Sequence, residues 1–409
     1  MEAEELQAWA EEFAAFHARF ASLFGRSEPR EQAAKYLRGL LAHGLERKNS
    51  WQLAEAVGDA IPDPMQRLLY HSAWDADAAR DRLQDFIAEM YGDPQAIVII
   101  DETGFLKKGS HSVGVQRQYT GTAGKVENAQ VGVFLAYASA VGHVLLDRRL
   151  YLPEGWAEDA ARRERAGVPP EVAFQTKPQL AQAMLEQLWA RELPMRWIAG
   201  DEVYGNAVVL RERIAAQGHQ YVLGVASVQR VWRTRPAVEP PGQGPQGRTR
   251  TRARLAAGEP PSQEVADVVA GWPARRWQRL AVAWGEQGER RYDWGAQRVV
   301  ESQDDLPGRE VWLLARRSVA DPADVAYYLA HAPQDTPLQE LARVAAQRYV
   351  VEQCLEESKG QTGLDEYAVR RWDSWHRHIT LAMMAYALLG WLRYRQTVKK
   401  GGLSPSSPS

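Results

Sequence analysis

Two short apolar runs, each ending at an acidic pair, mark the middle of this chain. Residues 97–101 read Ile-Val-Ile-Ile-Asp, residues 197–201 read Trp-Ile-Ala-Gly-Asp, and a Glu follows each Asp. Four to eight apolar residues bounded by turn signals predict a buried strand. We therefore expect Asp101 and Asp201 at the ends of strands, at the edge of a sheet that a ligand can reach. Paired carboxylates of this kind hold divalent metal ions for phosphoryl chemistry.

The remaining pattern predicts an α/β protein. Residues 3–91 show no strand-like alternation, and Ala, Leu, Glu and Arg dominate them, so helices are predicted throughout. Predicted strands follow at 97–100, 113–119, 131–138, 143–151, 196–200 and 221–225, with helices at 177–191 and 206–217. Antiparallel strands followed by strand–helix alternation is the order found in ribonuclease-H-like folds.

A polar turn interrupts the N-terminal helical pattern and carries a basic pair, Arg47 and Lys48. The next helix begins near Trp51, with Ser50 as the predicted N-cap. Helix-turn-helix units that enter DNA grooves have this pattern, and so do ordinary helical hairpins. Phosphate contact is most accessible at the turn, although the neighbouring Glu46 weakens that argument.

A third carboxylate lies on a predicted helix over residues 338–359. Arg348, Glu352 and Lys359 share its polar face, beside an apolar stripe that includes Cys354. A carboxylate between two cations suits a metal ligand with phosphate-binding neighbours. Taken alone, the pattern favours a solvated ion pair between Glu352 and Arg348, and two nearby residues, Glu356 and Glu357, are rivals as the third ligand.

Composition narrows the range of functions. The net charge of the 409 residues is −2, so any surface that binds nucleic acid must be local. The single cysteine, Cys354, excludes an internal disulfide and a cysteine metal cluster, and its place on the apolar stripe predicts core packing. The chain has no secretory leader pattern, and the apolar residues 379–392 are too few to span a bilayer. We expect a soluble, cytoplasmic protein with no membrane partner.

Basic and proline-rich segments are the candidates for local DNA contact. Residues 236–261 are rich in Pro, Gly and Arg and are expected to be poorly ordered. They contain the cluster Arg248, Arg250, Arg252 and Arg254, and a second basic pair is Arg370 and Arg371. Strands predicted at 228–233, 275–284 and 311–314 surround the first cluster. The gap between Asp201 and Glu352 is too long for one helix and must contain an inserted subdomain.

Taken in order, these motifs resemble the DDE transposases of bacterial insertion sequences. The resemblance is carried by Asp-Glu-Thr-Gly-Phe from Asp101, Gly-Asp-Glu-Val-Tyr-Gly from Gly200, the segment 348–359, and the runs that begin at Val115 and Arg370. One branch of that family has the signature Tyr, two residues, Arg, three residues, Glu, six residues, Lys. Arg348, Glu352 and Lys359 occupy three of its positions, whereas Ala345 stands at the position of the Tyr.

The resemblance implies a function and a set of roles. Asp101, Asp201 and Glu352 would be the catalytic residues and would hold two divalent cations, Mg²⁺ or Mn²⁺. Arg348 and Lys359 would position the phosphate. The protein would cut transposon ends and join them to target DNA, acting as a homodimer on the terminal inverted repeats. Two alternatives stay open: a non-catalytic, transposase-derived DNA-binding regulator, and a ribonuclease-H-like nuclease without strand transfer.

The resemblance and the composition together predict five segments. In chain order they are a helical N-terminal DNA-binding domain at 1–92, the first part of a ribonuclease-H-like core at 93–229, a β-rich insertion at 230–310, the C-terminal part of the core at 311–395, and a disordered tail at 396–409.

Overall fold

The structure is a computed structural model that describes residues 3–243, 249–285 and 288–401. The chain divides into two compact units, one formed by Met1–Met195 with Tyr349–Ser409 and the other by Arg196–Arg348. Both units contain helices and strands, which confirms the predicted α/β class.

The helices and strands of residues 3–195 are the following, in chain order: α1 (Ala3–Ala18), α2 (Ser27–Leu41), α3 (Ser50–Ala56), α4 (Asp63–Tyr70), α5 (Ala76–Tyr91), β1 (Ile97–Leu106), β2 (Gln116–Thr120), β3 (Lys125–Ser139), β4 (Gly142–Tyr151), α6 (Glu154–Ala157), α7 (Ala160–Ala166) and α8 (Lys177–Ala190). The second unit contains β5 (Trp197–Gly200), α9 (Glu202–Gly205), α10 (Val208–Ala216), β6 (Gln220–Val225), β7 (Arg230–Trp232), β8 (Val238–Glu239), β9 (Gly242–Gln243), β10 (Thr249–Arg250), β11 (Arg254–Leu255), β12 (Gln263–Glu264), α11 (Val265–Ala270), β13 (Gln278–Gly285), β14 (Gly288–Gln303), β15 (Leu306–Ser318), β16 (Val325–His331) and α12 (Leu338–Ala346). Two further helices follow, α13 (Arg348–Thr362) and α14 (Trp372–Lys399).

The strands of the first unit are antiparallel around β3. Strand β1 pairs with one edge of β3, while β2 and β4 follow each other along the other edge. The predicted strand over 97–100 is present, but β1 continues past Asp101 to Leu106. It continues because the backbone from Glu102 to Leu106 pairs with the long strand β3. Asp101 is therefore a mid-strand residue, and the expected position at a strand end is wrong.

The N-terminal helices form one core with the last helix. Residues 3–91 contain helices and no strand, as predicted. Helix α14 contacts α2, α4, α5 and β4, and the Tyr91 hydroxyl donates to the Ala387 carbonyl at 2.7 Å. Tyr36 OH lies 2.9 Å from His378 Nδ1, and His378 Nε2 lies 3.0 Å from the Gly363 carbonyl. Because a carbonyl only accepts, Nε2 carries the proton and Nδ1 accepts from the tyrosine.

The turn before α3 differs in detail from the prediction. The N-cap is Asn49, whose side chain accepts from the backbone N–H groups of Trp51 and Gln52, and Ser50 is the first helical residue. Asn is as good an N-cap as Ser, so the choice between neighbours depends on the backbone path.

A single mixed sheet organises the second unit. Strands β5 and β6 are parallel, and antiparallel pairing then runs from β6 through β16 and β15 to β14, which also pairs with β7 and β13. Strands β7, β13 and β14, within the predicted insertion at 230–310, thus belong to the same sheet as β6 and β16, and β15 continues through residue 310. Within 236–261, two short antiparallel ribbons pair β8 with β11 and β9 with β10. Arg248 and the residues after Gly401 lie outside the described residues.

Two further differences concern helices. The pattern predicted over 338–359 forms two helices, α12 and α13, with Gln347 between them. No Gly or Pro marks this break, so sequence patterning could not locate it. Cys354 is fully buried, in agreement with the predicted packing role, and burial raises the pKa of its thiol. No helix within the described parts of the chain is long and apolar enough to cross a membrane.

Candidate active site

Strand β1 presents Asp101 on one face and Glu102 on the other, because successive side chains of a strand alternate. Glu102 accepts from Lys177 Nζ at 2.6 Å in a partly buried ion pair. Lys177 opens α8 directly after its N-cap Thr176, so this ion pair ties α8 to β1. Glu102 therefore serves the packing of α8 on β1, and Asp101 stays the candidate ligand that the family resemblance implies.

The glycine of the Asp-Glu-Thr-Gly motif is required by close packing. A Cβ at Gly104 would lie 1.8 Å from Thr120 Oγ1. On the neighbouring residue, Thr103 Oγ1 lies 3.3 Å from Thr122 Oγ1, and Thr122 Oγ1 donates to the Gly104 carbonyl. The part of β1 next to Asp101 is thus held against the turn between β2 and β3.

Asp201 follows β5 directly, as predicted, and caps the short helix α9. Its side chain accepts from the backbone N–H of Val203 at 2.9 Å. Two glycines let the turn approach β6 closely: a Cβ at Gly205 would lie 1.7 Å from the Gly224 carbonyl, and one at Gly224 would lie 3.4 Å from Asp201 Cα.

A buried ionic network supports the Asp201 turn. Arg211 and Glu301 are each 1% exposed, and Arg211 Nη2 lies 3.0 Å from Glu301 Oε2. Arg211 Nη1 also donates to the Gly205 carbonyl, and the Tyr221 hydroxyl donates to Glu301 at 3.2 Å. Burial, followed by the nearby Glu301 charge, raises the pKa of Tyr221. Nothing in the sequence marked these residues, because their partners are far apart along the chain.

Replacing Gly205 by Ala should loosen this turn. The added Cβ would meet a backbone carbonyl of β6 that cannot move alone, so the turn must shift. Overpacking of this kind costs about 1–3 kcal/mol. Thermal unfolding should report the destabilisation, and cleavage should fall further than stability alone explains. Gly218→Ala is the control, because a Cβ at this position meets no other atom within 4 Å. The φ of Gly218 is 80°, so this variant is strained by its backbone conformation, away from the Asp201 turn. Equal effects of both variants on cleavage would contradict a special role of Gly205.

Glu352 lies in α13, and α13 is fixed to β1 within the first unit. Lys359 Nζ donates to Thr103 Oγ1 at 2.7 Å. Thr103 is two residues from Asp101, about 7 Å along the strand. Glu352 is two helical turns from Lys359, about 10 Å along the helix. The Lys359–Thr103 bond therefore joins the two elements that carry Asp101 and Glu352, close to both residues.

The rival carboxylates on α13 have other surroundings. Glu357 accepts from the Tyr386 hydroxyl and from Gln353 Nε2, both at 2.8 Å, and lies 3.7 Å from His143. It is thus engaged with α14 and β4. Glu356 is exposed. Glu352 remains the candidate, supported by the contacts of its neighbours.

The predicted DNA-contacting residues occupy different environments. Lys48 is only 7% exposed, and its ammonium donates to the carbonyls of Leu40 and Gln361. Burial lowers the pKa of Lys48. It therefore stabilises the packing of α2 against the end of α13, and a phosphate contact by this residue is contradicted. Its neighbour Arg47 is exposed.

The other basic candidates lie at the surface. Arg252 and Arg370 are exposed. Arg254 is exposed and pairs with Glu239 at 2.9 Å, and Arg371, the N-cap residue of α14, lies 3.7 Å from Asp373. The strand β10 contains Arg250, and Arg348 is the first residue of α13.

The donor chemistry of the three carboxylates suits hard divalent cations such as Mg²⁺. Asp101 and Glu352 belong to the first unit and Asp201 to the second. No group of three or more His, Cys, Asp or Glu side chains that could hold a metal ion occurs among the residues that the structure describes. The convergence of the three carboxylates on one metal site therefore stays a prediction.

The fold is that of an α/β protein in which Asp101 lies on a strand, Asp201 follows one directly and Glu352 lies on a helix. Residues 19–291 match the family described as DDE superfamily endonuclease, and the chain belongs to this family. The matched range includes Asp101 and Asp201 but ends before Glu352. The resemblance seen in the sequence is thus confirmed at the level of the family, whereas the Tyr-Arg-Glu-Lys signature remains a prediction.

A curated relative and two solved structures are similar to parts of the chain. The probable transposase for insertion sequence element IS701 of Microchaete diplosiphon is 30% identical over 177 residues, which is 43% of each chain. A piggyBac transposase synaptic complex with hairpin DNA aligns with 97% of this chain and 74% of its own at 13% identity and a TM-score of 0.44. The NurA nuclease from Sulfolobus solfataricus aligns at 8% identity and a TM-score of 0.28, covering 69% of this chain and 86% of its own. Both structural scores are too low to support an inference.

Proposed function

We propose that this protein is a DNA transposase that cuts the ends of an insertion sequence and joins them to target DNA. Membership in the DDE superfamily endonucleases supports a phosphodiester-cleaving enzyme. The observation that carries the site is the Lys359–Thr103 hydrogen bond, which joins the element of Glu352 to the strand of Asp101. The similarity to a probable insertion-sequence transposase supports transposition over simple nuclease activity.

In this proposal Asp101, Asp201 and Glu352 hold two divalent cations, Mg²⁺ or Mn²⁺. When bound, such ions supply an activated nucleophile and stabilise the leaving oxygen of a phosphodiester. Lys359 and Arg348 bind the phosphate and orient it between the carboxylates. The N-cap bond of Asp201 fixes the direction of its carboxylate, and the Lys177–Glu102 ion pair holds the strand beneath Asp101. These residues thus place a phosphate and its ligands in a defined geometry before reaction.

The partners in this proposal are the terminal inverted repeats, the target DNA and a second copy of the chain on DNA. Residues 1–92, the β-rich segment 230–310 and the exposed basic residues would bind the DNA around the site. The compartment would be the cytoplasm. Because residues 1–92 share a core with α14, deleting them would damage the first unit. Their role is better tested at Arg47, which is exposed, with buried Lys48 left in place.

One assay separates the proposed function from its two alternatives. The protein is incubated with Mg²⁺ and DNA that carries the ends of its own element. Cleavage followed by joining to a second DNA supports the transposase. Cleavage without joining indicates a ribonuclease-H-like nuclease, and specific binding without cleavage indicates a transposase-derived regulator.

Replacing the arginines of the 248–254 segment should weaken DNA binding and reduce its dependence on salt. Each phosphate contact contributes about 0.9 to the slope of log affinity against log salt, so replacing Arg248, Arg250, Arg252 and Arg254 by Ala can lower that slope by up to about 3.6. Sequence preference should change little. Affinities measured across a salt series test this expectation.

The single variants provide an internal comparison. Arg254 already pairs with Glu239, so Arg254→Ala should change the slope less than Arg252→Ala does. An unchanged slope in the fourfold variant would mean that the segment is a solvated linker without contact to DNA.

A further inference from the structure

A line of side chains runs along one face of β1 from Asp101 towards its C-terminal end. By strand alternation, Thr103, Phe105 and Lys107 share the face of Asp101. Thr103 and Phe105 are buried, whereas Asp101 and Lys107 are partly exposed. The extended pairing reaches Lys107, because its backbone N–H donates to the Asn128 carbonyl at 2.9 Å. This face therefore has a partly exposed polar residue at each end.

Lys107 rests on a rigid aromatic platform. Its ammonium lies 3.5 Å from the centroid of the Tyr367 ring and donates to the Tyr367 carbonyl at 3.3 Å. The ring is fixed in turn, because the Tyr367 hydroxyl donates to Gln130 at 2.9 Å and accepts from Trp375 Nε1 at 3.0 Å. The ammonium has three N–H donors, and the bond to the Tyr367 carbonyl uses one of them. Its other donors can therefore bind a second ligand.

The charge around this face favours an anion. Lys359 Nζ, on Thr103, lies 5.9 Å from the Phe105 ring, so two lysines stand along the same line. Burial lowers the pKa of Lys107 to about 8 and also lowers that of Lys359. The nearby charge of Asp365 opposes this lowering of the pKa for both lysines, and the charge of Glu356 opposes it for Lys359. A bound anion such as a phosphate would stabilise the charged forms of these two desolvated lysines.

We propose that Lys107 binds a backbone phosphate of the DNA strand that enters the active site, at the partly exposed end of this face of β1, beyond the buried Thr103 and Phe105. The proposal rests on the proposed function. Asp101 and Lys107 are six residues apart, about 20 Å along a strand. At a rise of 3.4 Å per nucleotide, that distance corresponds to at most about six nucleotides. Nothing in the sequence patterns singled out this lysine.

The test neutralises one side of the contact at a time. Duplexes of the element's own end are prepared with a single neutral methylphosphonate at each position of the strand to be cut, and binding is measured without divalent metal. Lys107→Met should weaken binding of the unmodified duplex about tenfold and lower the salt slope by about 1. One methylphosphonate, within about six nucleotides of the cleavage position, should abolish the difference between wild type and variant. If every modified duplex preserves that difference, the proposal is overturned.

Lys108→Met is the matched control, since Lys108 is the adjacent residue and is exposed. It should show no coupling to the same phosphate. Lys107→Arg keeps the charge and should retain most of the affinity. If thermal unfolding shows that Lys107→Met folds poorly, the pH dependence of DNA binding by Lys107→Arg still tests the proposal.

The pH test depends on the sign of the charge. The Lys107 ammonium is charged below its pKa of about 8 and neutral above it, so wild-type affinity should fall as pH rises from 7 to 9. The groups that face Lys107 are Asp365, Tyr367 and His378. Burial raises the pKa of the Tyr367 hydroxyl well above its usual value, so Tyr367 stays neutral in this window. His378 stays neutral, since burial lowers its pKa to about 4. The Lys107→Arg variant should hold its affinity, and an equal fall in both proteins would overturn the proposal. If no protein binds the element's end at all, the proposed function fails instead.

Discussion

Removing the charge of Asp101, Asp201 or Glu352 is expected to abolish cleavage of the element's ends while leaving their binding largely intact. Metal ions at such a site contribute several kcal/mol to the transition state, so the loss should be about a thousandfold or more. Phosphate contacts elsewhere persist, because they do not depend on these ligands. The measurements are cleavage rates in Mg²⁺ and affinities without metal.

The choice of substitution matters at Asp201, because this residue also caps α9. Asp201→Asn keeps an oxygen that can accept from Val203 N–H, and Asn is as good a cap as Asp. Asp201→Ala removes both the cap and the charge, at an additional cost of about 1 kcal/mol in stability. If Asp201→Asn cleaves normally and only the Ala variant is impaired, the residue acts as a cap and not as a metal ligand.

Glu356→Gln is the matched control for Glu352→Gln, since both residues lie on α13 and Glu356 is exposed. It should cleave at the wild-type rate. Substantial cleavage by Glu352→Gln, together with loss in Glu356→Gln, would move the third ligand by one helical turn. Glu102→Gln should reduce stability through the lost Lys177 ion pair and should impair cleavage far less than removing the charge of Asp101 does.

Glu301→Ala is expected to destabilise the second unit strongly. The substitution leaves the buried Arg211 guanidinium without its carboxylate and the Tyr221 hydroxyl without its acceptor. Breaking a buried ion pair from one side costs about 3–5 kcal/mol. At about 2–4 °C per kcal/mol for a unit of this size, the unfolding midpoint should fall by on the order of 10 °C. Thermal unfolding followed by circular dichroism measures the change.

The double variant Arg211→Met with Glu301→Leu separates charge from packing. Replacing both partners by apolar residues of similar size is often neutral or stabilising, so the double variant should unfold at a higher temperature than Glu301→Ala. It leaves the Tyr221 hydroxyl and the Gly205 carbonyl without these partners, so some stability is still lost, although less than in Glu301→Ala. The Asp201 turn should also be looser, and the Mg²⁺ concentration needed for cleavage should rise. A double variant with normal Mg²⁺ dependence would show that the network stabilises the fold without positioning Asp201.

Part of the fold could be predicted from the sequence because it depends on the local pattern of apolar residues. The buried runs before Asp101 and Asp201, the helices of residues 3–91 and the packing of Cys354 follow from apolar spacing that each segment carries by itself. The ordered motifs also identified the family correctly. The break at Gln347 and the extension of β1 through Leu106 could not be predicted from the sequence. The first has no Gly or Pro signal, and the second depends on pairing with β3.

The sequence by itself determined which residue types are available for chemistry and in what order: two carboxylates after apolar runs, a third on a helix between cations, and local basic clusters in a near-neutral chain. Only the tertiary structure decided what each of them contacts. Burial removed Lys48 from the surface, an ion pair with Lys177 engaged Glu102, and hydrogen bonds to Tyr386 and Gln353 engaged Glu357. The physical reason is that hydrogen bonds and desolvation act between groups that are distant in sequence, and no local pattern encodes such a distance.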